Sequence, residues 1–143
     1  MKRTANAHWE GNMKEGKGDL TTQTTTLNHT QYSFNSRFAD GIGTNPEELL
    51  GAAHAGCYTM ALSAFLQNEG ITAGTLDTKA IVELDAVKLA ITNIQLELTA
   101  SAIDGVSEEQ FTAIAKAAKE NCPVSKALAG TEIGLTVSYK QAE

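Results

Sequence analysis

The sequence is poor in the residues that staple, bind metal or bind by positive charge. It has two cysteines in 143 residues, Cys57 and Cys122. Two cysteines cannot make the disulfide framework of a small secreted domain. A structural zinc site takes about four ligands at short spacing, and His8, His29 and His54 complete no such set, so no metal is expected. Basic residues number 11 against 17 acidic ones, for a net charge of −6. Near the N-terminus Lys2, Arg3, Lys14 and Lys17 are interleaved with Glu10, Glu15 and Asp19. They form no patch, which argues against a nucleic-acid-binding surface. No apolar segment follows Met1-Lys2-Arg3, so no secretion signal is expected. The implied compartment is the reducing cytoplasm, where a permanent disulfide is not expected. Repeats, linkers and low-complexity runs are also missing, so residues 1–143 read as one domain with room for a real core.

What the chain does have is one long apolar stretch, Thr44 to Asn68. Asn45 is a natural N-cap, Pro46 fits the first helical position, and Glu47 and Glu48 lie where the helix dipole favours acid. Gly70 is placed to stop the helix. With no broad polar face, such a helix has to be surrounded by protein. Leu49 to Leu66 is long enough to span a membrane, but it is rich in Ala, Gly, Ser and Thr and carries His54. No membrane span is expected.

Around this helix the periodicities read as α+β. Residues 4–39 read as three strands of a meander. Ala5, Ala7 and Trp9 alternate in the first. The Thr-rich run Leu20 to Leu27 makes the second. Tyr32, Phe34, Ser36 and Phe38 make the third. By that alternation Arg37 points away from Phe34 and Phe38. Thr75–Asp85 and Ile91–Ala100 alternate as a hairpin whose turn lacks glycine. Ser107 and Gln110 form a capping-box pair before the amphipathic run Phe111, Ile114, Ala115, Ala118. Pro123 begins a short helix through about Ala129, and Ile133 to Tyr139 form a last strand.

The candidate chemistry centres on the cysteines. Cys57 lies in the middle of the apolar helix, where a free thiol is either an inert filler or a protected nucleophile needing a cation. Cys122 precedes Pro123 at a helix start, where free N–H groups favour a thiolate. Its Cys-Pro-x-Ser context resembles the thioredoxin Cys-Pro-x-Cys, a weak signal alone. Arg37 is the nearest cation in sequence to the long helix. Glu47 and Glu48 also fit as dipole partners. His54, three residues before Cys57, fits either a base for that thiol or a satisfied core histidine.

Taken together, NPEELLGAAHAGCYTMALS around Cys57 and NCPVSKAL around Cys122 resemble the OsmC/Ohr family of organic hydroperoxide reductases. The opening AHWEGNMKEGKG and the FNSRF and GTNPEELLGAAHA runs resemble its OsmC branch, so the likeness covers nearly the whole chain. The resemblance implies antiparallel sheets wrapped around a long central helix in an intertwined homodimer. It implies a peroxidase that reduces organic hydroperoxides through a Cys57 sulfenic acid and a Cys57–Cys122 disulfide. Arg37 matches the family arginine that stabilises the thiolate and the leaving oxygen, and Glu47 the glutamate that holds it. No bound cofactor is implied; an external lipoyl-type or small dithiol would reduce the disulfide. Two other readings stay open. One is a thiol–disulfide oxidoreductase with Cys122 as nucleophile, the other a non-enzymatic dimer that binds apolar ligands.

Overall fold

The structure, a computed structural model, describes residues Met1–Lys140. They fall into two compact units that divide after Leu49.

The first unit holds a three-stranded antiparallel sheet of β1 (Ala5–Glu10), β2 (Lys17–Thr22) and β3 (Thr30–Tyr32), in that order. Gly18 of β2 pairs with Trp9 on one side and Tyr32 on the other. Their rings lie 5.5 Å apart, over the space that a glycine leaves open. Two expectations fail here. The second strand stops at Thr22, because Thr25 turns the backbone left-handed and Leu27 returns to bond Thr22. The third strand stops at Tyr32, and Phe34–Phe38 is a short helix, α1. Ser33 caps it, accepting from the Ser36 N–H, while the Ser36 hydroxyl accepts from the Ser33 N–H. This reciprocal pair satisfies the donors that a strand would have paired elsewhere.

Helix α2 (Pro46–Asn68) starts in the first unit and continues into the second. Asn45 caps it, its Oδ1 accepting from the Glu48 N–H at 2.8 Å. It ends as expected at Gly70, with φ +74°. There Ile71 N–H donates to Leu66 O and Gly70 N–H to Gln67 O, the two bonds of a Schellman ending.

In the second unit, β4 (Leu76–Asp85), β5 (Ala90–Ser101) and β6 (Glu132–Lys140) form a sheet in that order. The β4–β5 turn needs no glycine. Asp85 Oδ1 accepts from the Val87 and Lys88 N–H groups, and Leu89 takes the left-handed conformation. β6 runs parallel to β5, so this sheet is mixed rather than antiparallel throughout. The cause is the connection: α3 (Glu108–Asn121) and α4 (Pro123–Ala127) carry the chain back before β6 begins. Ser107 caps α3 through the Gln110 N–H.

The core lies in this unit. Tyr58, Leu62 and Leu66 of α2 meet Ile94, Leu96, Leu98 and Ala100 of β5 and Phe111, Ala115 and Ala118 of α3. His54, Tyr58, Leu62 and Leu66 are all fully buried and recur every fourth residue, one stripe of a helix. The expectation that α2 is surrounded by protein is met on this stripe only. Ala52, Ala53, Gly56, Met60 and Ala64 are exposed, Met60 to 75%.

Candidate functional site

The sequence-predicted residues gather into two constellations, one in each unit. The first joins Arg37 and Glu47. Because Phe34–Phe38 is helical, Phe34 and Phe38 share a face, with ring centroids 4.9 Å apart. Arg37 does not point away from them as strand alternation implied: its guanidinium carbon lies 5.4 Å from the centre of the Phe38 ring. Arg37 Nη2 and Nε donate to the same carboxylate oxygen of Glu47, at 2.8 and 3.0 Å. The Glu47 side chain is 10% exposed and that of Arg37 41%. The other Glu47 oxygen is buried without a partner. The Ser36 hydroxyl donates to Thr44 O and Asn45 Nδ2 donates to Ser36 O. These bonds fix α1 on the start of α2, and so fix the pair. Glu48 goes elsewhere, accepting from the Thr44 hydroxyl.

The second constellation holds the thiols. Cys57 of α2 and Cys122 between α3 and α4 are both free, and their sulfurs lie 3.0 Å apart. Cys122 closes α3 and opens α4 with one extended backbone conformation. Its sulfur is fully buried in the core, while Cys57 is half-buried at the edge of the Tyr58 stripe. Two thiolates at this distance would repel by roughly 5 kcal/mol at an effective dielectric of about 20. The pair therefore holds at most one charge at a time.

The surroundings decide which sulfur holds that charge. Burial opposes it on both. The Cys57 S–H, the N–H groups of Ser125 and Val124, and the Ser125 hydroxyl all favour it on Cys122, and the net direction is downward from an ordinary thiol. Cys57 is pushed up, by burial first and then by donating to Cys122; the Val124 N–H only partly offsets this. Within the second unit these surroundings favour the charge on the buried sulfur. Tyr58 beside them is pushed well above an ordinary phenol, by burial and by the Cys122 charge, and it donates its proton to Ala115 O.

His54 does not reach Cys57. Its ring is fully buried, and Nε2 lies 2.8 Å from the Ser125 hydroxyl oxygen. Ser125, also buried, is the residue that the sequence reasoning missed. Its signal was its place three residues after the cap residue Cys122, where a side chain reaches back over the cap. Among the described residues no three of His, Cys, Asp and Glu converge as metal ligands do.

Known proteins share this arrangement of elements. The profile of the OsmC family, described as OsmC-like protein, matches residues 39–138. The chain is 47% identical over 136 residues to the peroxiredoxin OsmC of Escherichia coli, covering 94% of this chain and 92% of that one. A solved organic hydroperoxide resistance protein from Elizabethkingia anophelis superposes with a TM-score of 0.71 at 25% identity, covering 97% of this chain and 98% of that one. An OsmC-like protein from Mycoplasma pneumoniae has the same fold, with a TM-score of 0.73 at 14% identity over 97% of each chain. A profile match over most of the chain, nearly half the residues identical to one relative, and the shared fold together establish that this chain belongs to the OsmC-like protein family.

Proposed function

We propose that this chain is a thiol peroxidase that reduces organic hydroperoxides to alcohols. The observation that carries the reading is the reduced pair of sulfurs 3.0 Å apart, with Cys57 toward solvent and Cys122 buried behind it. Its relatives are named a peroxiredoxin and an organic hydroperoxide resistance protein. In the first step the Cys57 thiolate attacks the outer peroxide oxygen. The O–O bond breaks, an alkoxide leaves and takes a proton to become the alcohol, and Cys57 becomes a sulfenic acid. In the second, the Cys122 sulfur attacks Cys57, the S–O bond breaks, and the hydroxyl leaves as water with the Cys122 proton. An external dithiol, of lipoyl or small-molecule type, then reduces the disulfide and is itself oxidised. Sulfur alone carries the two electrons, so the reading needs no bound cofactor.

The first step needs the charge on Cys57, where the second unit alone does not hold it. We assign that task to Arg37. Its guanidinium would pair with the Cys57 thiolate and the leaving oxygen, and Glu47 would hold its fork in place. The whole chain, 1–143, then works as one domain in a cytoplasmic homodimer. Two features support the dimer. The exposed face of α2 is apolar and borders a groove of about 660 Å³ lined by Gly56, Thr59, Met60 and Leu76. In the first unit, β1 is exposed along nearly its whole length, which leaves that sheet little core of its own.

One observation favours a second reading. The preference of charge for Cys122 suits a thiol–disulfide oxidoreductase with Cys122 as nucleophile. Mass spectrometry after one equivalent of cumene hydroperoxide separates the two. The peroxidase reading expects a Cys57–Cys122 disulfide within the chain, and in Cys122→Ser a Cys57 sulfenic acid that still forms in a single turnover. Oxidation that survives Cys57→Ser and is abolished by Cys122→Ser would establish the second reading instead. Thiols inert to peroxide would leave only an apolar-ligand-binding protein.

A further inference from the structure

Cys122 sits at a corner. Its N–H donates to Ala118 O at 2.9 Å in the last turn of α3, and its C=O accepts from the Lys126 N–H at 3.0 Å in the first turn of α4. Its side chain makes no cap bond to α4, so the sulfur is placed by the backbone of the two helices that meet there. Three polar side-chain contacts tie α2 to this segment. One is the sulfur pair itself, at 3.0 Å. The second is Tyr58, whose hydroxyl donates to Ala115 O of α3 at 3.1 Å. The third is His54, whose Nε2 lies 2.8 Å from Ser125 Oγ of α4; with Nδ1 unpartnered, it is the one bond of that ring. His54 and Tyr58 are fully buried and lie on either side of Cys57 along α2, as Ala115 and Ser125 lie on either side of Cys122. Apolar packing alone does not set such a corner, because burial has no direction. At the Cys122 end of α3 the core holds Ala115 and Ala118, which have nothing beyond Cβ to interlock with a neighbouring helix. α4, five residues long, is too short to be stable by itself. A hydrogen bond, by contrast, fixes a distance and an angle.

We propose that Tyr58 and His54 are positioning residues for the resolving step: Tyr58 ties α3 to α2, His54 ties α4 to α2, and together they hold the Cys122 sulfur within attacking distance of Cys57. The proposal rests on the two-cysteine reading. In that step the Cys57 S–O bond breaks as the S–S bond forms, and the hydroxyl leaves as water with the Cys122 proton. Its rate follows the effective concentration of Cys122 at Cys57. Reacting atoms about 3–3.5 Å apart are placed for attack, and a displacement of about 1 Å can cost about a hundredfold. The sulfurs already stand at 3.0 Å in the reduced chain. Loosening either helix moves Cys122 without touching its sulfur or that of Cys57.

The test equilibrates the full chain with reduced and oxidised glutathione and follows the Cys57–Cys122 disulfide by mass spectrometry after acid quench. The ratio of squared reduced to oxidised glutathione at half-oxidation is the effective concentration of one thiol at the other. Ser125→Ala and His54→Leu should each lower it about tenfold by freeing α4. Tyr58→Phe should lower it about threefold, because Phe111 also anchors α3 in the core. Ser125→Thr keeps the hydroxyl and His54→Gln keeps a donor at the Nε2 position, so both should return it to within about twofold of wild type. Gly70→Ala weakens the fold away from the corner and should leave it unchanged, which separates placement from general loss of stability. Each factor should stay constant with pH. A wild-type value in folded Ser125→Ala and His54→Leu overturns the proposal, and Ser125→Ala decides alone if His54→Leu does not fold. A wild-type value in Tyr58→Phe removes Tyr58 from it. Factors that fade toward one as pH falls assign the effect to charge on Cys122 rather than to its place, and also overturn it. The equilibrium needs no peroxide. If wild type forms no Cys57 sulfenic acid, the peroxidase reading fails while the glutathione ratio still reports on the placement.

Discussion

The Arg37–Glu47 pair permits a test in which structural and catalytic roles give separate numbers. Both Arg37 contacts go to one carboxylate oxygen, at 2.8 and 3.0 Å, and the partner oxygen has none. The pair is thus not a full fork, and Arg37 is 41% exposed. Exposed pairs contribute roughly 0–1 kcal/mol, while removing one partner of a buried pair costs about 3–5. An intermediate site discounted for solvent gives about 1–2 kcal/mol for Arg37→Ala, including the guanidinium–Phe38 contact at about 0.5. Glu47→Gln keeps the acceptor oxygen and should cost about 1 kcal/mol. The double variant should cost less than the sum, with a coupling of about 1 kcal/mol. Trp9 is the only tryptophan in the chain and lies in the first unit, so its fluorescence in urea reads the unfolding of the unit that holds the pair.

The kinetic arm measures Cys57 oxidation in a single turnover. A charge-assisted bond to the thiolate is worth about 2–3 kcal/mol, or a roughly 30- to 150-fold slower attack in Arg37→Ala. Arg37→Lys keeps the charge without the planar fork and should fall between. A coupling energy near zero would refute the geometric argument for the pair. A rate within twofold of wild type would remove Arg37 from the reaction, whatever its effect on stability.

Four further outcomes follow from the structure. A Cβ at Gly70 meets nothing, but φ is +74°, so Gly70→Ala should cost about 1 kcal/mol of purely backbone origin; a Cβ at Gly18 would lie 2.5 Å from the Trp9 ring, so Gly18→Ala should cost about 1–3 kcal/mol by overpacking and shift the Trp9 emission. Burial holds His54 below its ordinary value of 6.5. The unfolded chain thus binds the proton first, and stability should be lost as pH falls below about 6.5, with a flatter profile in His54→Gln by thermal melts. Met60 is 75% exposed in the single chain, so Met60→Lys should leave a monomer's stability within about 0.5 kcal/mol but convert the proposed dimer to monomer in analytical ultracentrifugation; a dimer that survives the substitution rules out this face.

Local rules made much of the second unit legible. Asn45-Pro46 and Gly70 bound α2 because capping is decided within a few residues. β4 and β5 alternate cleanly because one face of each is covered. The misreadings share a cause. Phe34, Ser36 and Phe38 fit a period of two, but Phe34 and Phe38 also fit a spacing of four, and the Ser33–Ser36 exchange decides for the helix. Thr22 to Thr26 has the β propensity of threonine, yet threonine hydroxyls also bond local backbone; with Thr25 left-handed, the turn wins. The site itself was legible only through resemblance. Cys57 and Cys122 lie 65 residues apart, and His54 and Ser125 71, and no periodicity reaches across such gaps.

The stripe of α2 explains why these distant residues meet, and why one helix can serve packing and chemistry at once. His54, Tyr58, Leu62 and Leu66 take the fully buried positions, so a histidine at this spacing is committed to the interior and needs a partner there, which Ser125 supplies. Cys57 sits one residue off the stripe and is therefore half-covered, against Cys122 on one side and open on the other. Moving the thiol one position along the helix would place it in the core, beyond a peroxide. Placing it on the Met60 face would take it away from Cys122. The apolar character of α2 first suggests an inert cysteine. That same character makes the edge position useful: it keeps water from Cys122, leaves the pair one charge to share, and lets a few placed donors determine which sulfur carries it.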